Sequence, residues 1–191
     1  MKAIVLLSEG RHPVSRRAML PAVEARALRL AEAAIASVPG AVIEGLHAGP
    51  SAEVVGDAFG HGLSRLVHLV LPEGDDPVPA LVAALGADVP DLIVAGEISR
   101  GGEETGMVPH LLAAALDRPI VGPAIAVRPG DRAGTWVVDE ALPRGARRRV
   151  TVAGPVVVTV AETAPVARPF AHGRRAAGRI ETRPAAVLVP T

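Results

Sequence analysis

The chain has 191 residues, 20 acidic and 20 basic side chains, no cysteine, and 49% apolar residues. Zero formal net charge lacks the basic footprint that nucleic-acid binding needs. Absent thiols exclude disulfides, thiolate metal sites and cysteine nucleophiles, and no apolar run reaches the length of a membrane span.

That length suits one domain with a sizeable core. With two Phe, one Trp and no Tyr, the core must be aliphatic, which suits Val/Ile/Leu strands covered by Ala/Leu helices. The opening Met1-Lys2-Ala3-Ile4-Val5-Leu6-Leu7 is too short for a signal peptide and reads as a buried first strand. The expected location is the cytoplasm. A polar loop over residues 8–13 follows, then a helix over 21–38 with Leu28, Leu30, Ala31, Ala34 and Ile35 on one side, stopped by Pro39-Gly40. Residues 41–47 read as strand two. Residues 51–59 read as a short helix capped by Ser51, 66–71 as strand three and 77–85 as helix three. Residues 91–95 form strand four, a Gly-rich loop follows, and a helix spans 105–116.

Strict strand–helix alternation to this point predicts right-handed crossovers and a mostly parallel, doubly wound sheet, an α/β fold of the adenine-nucleotide-hydrolase-like kind. Residues 119–128, 135–142, 147–152 and 155–160 are then strand-like with short turns, so an antiparallel hairpin is expected on that sheet. Trp136 should pack on it, and the run from Arg144 to Arg149 reads as a solvated turn. Residues 1–160 make the domain. Residues 161–191, rich in Arg and Pro, read as an extended C-terminal arm that cannot form its own core and is either disordered or laid on a partner.

Ligands in open parallel sheets bind at the carboxyl ends of the strands. Three loops leave such ends here: 8–13, 48–50 and 96–106. The last is Gly-rich and enters a helix, so its backbone N–H groups could meet a phosphate, with Ser99 and Thr105 adding hydroxyls. It could equally be a flexible turn with Thr105 as helix cap. Glu103 and Glu104 repel a phosphate unless they point away. Neither G-x-G-x-x-G nor G-x-x-x-x-G-K-[ST] occurs. The six histidines show no metal-ligand spacing, and no nucleophile–base arrangement stands out, so no metal and no catalytic residue are expected.

Four stretches, in this order, resemble the β subunit of electron-transfer flavoproteins, the FixA-like family. Leu20-Pro21-Ala22-Val23-Glu24 is similar to the family's Asn-Pro-Phe-Asp-Glu helix entry, and His47-Ala48-Gly49-Pro50-Ser51 to its small-x-Gly-Pro turn. Asp91 to Gly96, then Glu104-Thr105-Gly106-Met107, resembles its strand–loop–Gln-Thr-Gly-Gln-Met–helix signature. Gly154 to Val160 and the Arg/Pro-rich tail resemble its last core strand and arm.

The resemblance implies a heterodimer in which a larger α subunit holds FAD and this chain packs against it, burying a structural AMP. Electrons would arrive from a flavin dehydrogenase, methylated-amine dehydrogenases being one candidate branch, and leave toward a quinone reductase or similar acceptor. It implies an electron carrier, not an enzyme. It also implies AMP contacts from Leu6, Ala48, Gly96, Ser99, Gly101, Gly102, Glu103, Glu104, Thr105 and Gly106, and docking of partner dehydrogenases through Arg168, Pro169 and Phe170. Ser99-Arg100-Gly101-Gly102 replaces the family's run of aspartates, and the loop is about two residues shorter, which weighs against AMP and not against the fold. Two readings compete: a stand-alone nucleotide-binding regulatory domain of stress-protein type, and, ranked last, an adenylate-forming hydrolase.

Overall fold

The computed structural model describes residues 1–98 and 104–186. The chain opens with β1 (Lys2–Leu6), and a small antiparallel pair, β2 (Gly10–Arg11) and β3 (Ala18–Met19), leads into α1 (Ala22–Ile35). Then come β4 (Val42–Gly49), α2 (Asp57–Gly60), β5 (Leu66–Val70), α3 (Pro77–Ala87), β6 (Leu92–Gly96) and α4 (Met107–Ala115). The second half holds β7 (Ile120–Pro129), β8 (Thr135–Ala141), β9 (Arg147–Ala153), β10 (Val156–Val160), α5 (His172–Ala177) and β11 (Ile180–Pro184).

Among the described residues, nine strands form one sheet in the order β11-β5-β4-β1-β6-β10-β7-β8-β9. Every pairing from β11 to β7 is parallel, while β7–β8 and β8–β9 are antiparallel. The expected α/β sheet with an antiparallel extension is therefore present, and β10 is not part of that extension. It crosses back to lie between β6 and β7 at the centre of the sheet, as its unbroken run Val156-Val157-Val158-Thr159-Val160, buried throughout, requires.

Strand side chains alternate between two cores. Ala3 and Val5 of β1, with Leu92 and Val94 of β6, pack beneath α1 and α2; Ile4 and Leu6, with Ile93 and Ala95, pack beneath α3 and α4. Helix α3 starts where Asp76 accepts a hydrogen bond from Val78 N at 2.9 Å and Pro77 supplies a pre-set first turn. Trp136 is 3% exposed and sits in the α1-side core. Arg148 and Arg149 are ion-paired along the sheet with Glu140 at 2.5 Å and Asp139 at 2.6 Å, their side chains still largely in solvent.

Two expectations need correction. Residues 51–56 are not helix; of them 53–56 form turns. Ser51 Oγ caps only a local turn, accepting from Glu53 N at 3.2 Å, and α2 is confined to Asp57–Gly60. The arm is not structureless along residues 161–186, because it folds back on its own body and contributes α5 and β11. The physical reason is a set of arginine anchors. Arg26 donates to Ala164 O, Arg168 pairs with Glu32 at 2.7 Å, and Arg175 binds Asp57 at 2.9 Å and Glu53 O at 2.7 Å. Arg65 joins Glu44 of β4 at 2.7 Å and Glu181 of β11 at 2.9 Å.

Candidate nucleotide cleft

Strand order reverses about β1. The connection through α1 leads to β4 on one side, and β6 arrives on the other. Loops leaving two neighbouring strands in opposite directions open a crevice there. A cleft of about 610 Å³ occupies that position. Its floor is Leu6 and Leu7 at the end of β1, Leu46 and Ala48 of β4, and Ala95 and Gly96 of β6. One wall is the start of α3 (Asp76, Pro77, Val78), and the other is the start of α4 (Thr105, Gly106, Met107).

Helix α4 begins abruptly. Gly106 has φ +65°, and a Cβ there would lie 2.7 Å from Glu97 O, so glycine is required for the close approach of the two loop ends. Thr105 Oγ1 accepts from Met107 N at 3.3 Å in a local turn just ahead of the helix, whose N-cap residue, Gly106, has no side chain to cap it. Across the cleft, the buried Glu24 of α1 takes hydrogen bonds from Ser8 N at 2.7 Å and Ser8 Oγ at 2.5 Å, fastening the loop after β1 to the helix.

Of the residues expected at a nucleotide, Leu6, Ala48, Gly96, Glu104, Thr105 and Gly106 are brought together in this one cleft. Ser99, Gly101, Gly102 and Glu103 lie outside the described residues. Arg168, Pro169 and Phe170 are not at the cleft. Phe170 packs edge-on against His61 and His172, with ring centroids 5.4 and 4.9 Å away, above Gly60, where a Cβ would be only 2.3 Å from its ring. It is 38% exposed.

The sequence reading missed the fourth strand end. Gly74-Asp75-Asp76, just past β5, lines the cleft, and the same strand-end rule applied to β5 would have found it. The lining therefore carries Glu9, Glu24, Asp75, Asp76 and Glu104, and no Lys, Arg or His among the described residues. Among the described residues no cluster suits a metal ion, and no helix is long and apolar enough to cross a membrane.

A doubly wound sheet whose cleft lies at the reversal of strand order defines a class: an α/β domain that holds a ligand over its strand ends. Comparison with known proteins sharpens this. Residues 9–188 match the family model described as the electron transfer flavoprotein domain. A protein named electron transfer flavoprotein subunit beta, from Chromohalobacter salexigens, is 38% identical over 186 residues, spanning 95% of this chain and 68% of that protein. The chain belongs to the electron transfer flavoprotein family, as a β subunit.

Proposed function

We propose that this chain pairs with a larger α subunit, covers the FAD that subunit holds, and helps pass electrons from a flavin dehydrogenase, methylated-amine dehydrogenases among the candidates, to a quinone reductase or similar acceptor. The observation that carries the reading is the family match along nearly the whole chain, over a fold with a cleft at the strand ends where strand order reverses. A second feature supports a covering partner. Ile98, Met107 and Leu111 are large apolar side chains left 43%, 49% and 44% exposed, and the latter two, one helical turn apart, rim the cleft. The flavin supplies the redox chemistry; this chain contributes shape, exclusion of water and a nucleotide seat.

The cleft fits the nucleoside part of AMP. Leu6, Leu46, Ala48, Val78 and Leu81 offer apolar walls for a base, and carboxylates such as Asp75 suit ribose hydroxyls as donors. The charged side chains of the described lining are all acidic, so its phosphate would depend on backbone N–H groups. In this reading the chain acts in the cytoplasm, contributes no catalytic group, and offers Arg168, Pro169 and Phe170 to a partner dehydrogenase.

Co-expression with a flavin-carrying α subunit tests the proposal. A yellow one-to-one complex is expected. A colourless chain that stays apart from that subunit contradicts it.

A further inference from the structure

His47 and His68 are register partners on the adjacent parallel strands β4 and β5, their rings stacked at 5.3 Å with 20° between planes. Both are buried, at 4% and 6% exposure. His68 Nε2 lies 2.8 Å from Gly49 O. His47 makes two such contacts: Nδ1 is 2.9 Å from Leu7 O, and Nε2 is 2.9 Å from Ser51 O. The ring is also confined, because a Cβ on Gly49 would come within 2.9 Å of Nε2.

A carbonyl oxygen can only accept, so any ring nitrogen that bonds to one must carry a proton. One proton on Nε2 satisfies His68, and its neutral form is enough. His47 needs two protons, and only the imidazolium has them. A neutral His47 would aim a lone pair at one of its two carbonyls and lose that bond.

We propose that His47 is a proton-operated clamp, a positioning residue that ties the end of β1 through the Leu7 carbonyl to the turn after β4 through the Ser51 carbonyl, and so fixes the β1 part of the cleft floor. Leu7, Ser8 and Glu9 all line that cleft. The consequence for a nucleotide rests on the reading given under Proposed function, whereas the clamp itself stands on the ring geometry.

Two opposing influences set the working pH. Burial lowers the His47 pKa from the ordinary 6.5, and the nearby His68 adds to that, while the two carbonyls and Glu9 of the loop after β1 raise it. On the same side of the sheet, Glu24 of α1 is held by Ser8, and Asp57 of α2 is paired with Arg175 of α5. Because the folded pKa is depressed, His47 is neutral with one bond released at neutral pH, and both bonds close as pH falls through the folded value.

Long-range ¹⁵N–¹H NMR of the full-length chain tests this. His47 should carry protons on both ring nitrogens on the acid side and lose one through a single midpoint below 6.5. After correction for intrinsic exchange, protection of the Ser8 amide should fall about tenfold across the same midpoint, the scale of one charge-assisted hydrogen bond. His47→Gln should abolish the Ser8 transition, and if that variant fails to fold, the unsubstituted chain's titration decides alone. A His47 that stays neutral down to acid unfolding, or a Ser8 transition that survives in His47→Gln, overturns the clamp. AMP serves as the probe of the cleft. AMP release that slows as pH falls through the midpoint supports both readings. A clear His47 transition with no AMP binding supports the clamp and counts against the nucleotide seat.

Discussion

Strands β10 and β11 belong to the same sheet, both pair in parallel, and both are five residues long, yet they are held by different physics. All of β10 is buried between two helical layers, so Val157 and its neighbours contribute by leaving water. In β11 only Ile180 is even partly buried. It stays in place through its ladder with β5, the Arg65 fork between Glu44 and Glu181, and the arginines that pin the preceding segment. Burial on both faces makes an element part of the cooperative core. A peripheral strand held by pairing and charge can open by itself, at much lower cost than global unfolding.

The contrast can be broken from the core outward. Ile93→Ala, in the fully buried β6 beside β10, should cost about 2–5 kcal/mol and lower the denaturation midpoint of the whole chain without changing where proteases first cut. Gly178→Ala is the next largest. Its new Cβ would lie 2.2 Å from the ring of Phe59, itself only 2% exposed, so the arm must move away at about 1–3 kcal/mol, exposing residues 165–186 to limited proteolysis. Arg175→Ala should have a smaller effect, about 1 kcal/mol, read as faster amide exchange in α5 and β11 with the central strands unchanged.

Acid gives the mildest perturbation. Hydrogen bonds from Arg65 and then Arg183 lower the Glu181 pKa from 4.5, so its contribution is present above that value and is lost as pH falls through the lower folded pKa. Protection of β11 amides should therefore fade in acid before that of β10. Simultaneous loss in both strands would show that the two regions are one cooperative unit.

The same contrast explains what could be read in the chain beforehand. Residues 3–7, 92–95 and 155–158 are unbroken apolar runs, and only a strand buried on both faces needs that pattern, so the central sheet was legible. Ile180-Glu181-Thr182-Arg183-Pro184 has no such pattern. Its place depends on the free edge of β5 and on Glu44 far back in the chain, and neither is a local signal. The cleft was legible where strand ends carry glycine or small residues, as at Ala48, Gly96 and Gly106. Asp75 and Asp76, just past β5, were passed over because that strand end carries no such run of glycine or small residues. The role of His47 was hidden, since its partner Leu7 is 40 residues away and only the sheet register brings them together.

The central claim is that this chain supplies scaffold and nucleotide seat while the redox group belongs to a companion. Rapid-mixing absorbance of a flavin-loaded α subunit with its dehydrogenase, with and without this chain, tests it most directly. Flavin reduction should be fast only when this chain is present, with all the flavin absorbance recovered on the α subunit after the two are separated. Equal rates in its absence, or substrate turnover by this chain alone, would contradict the account.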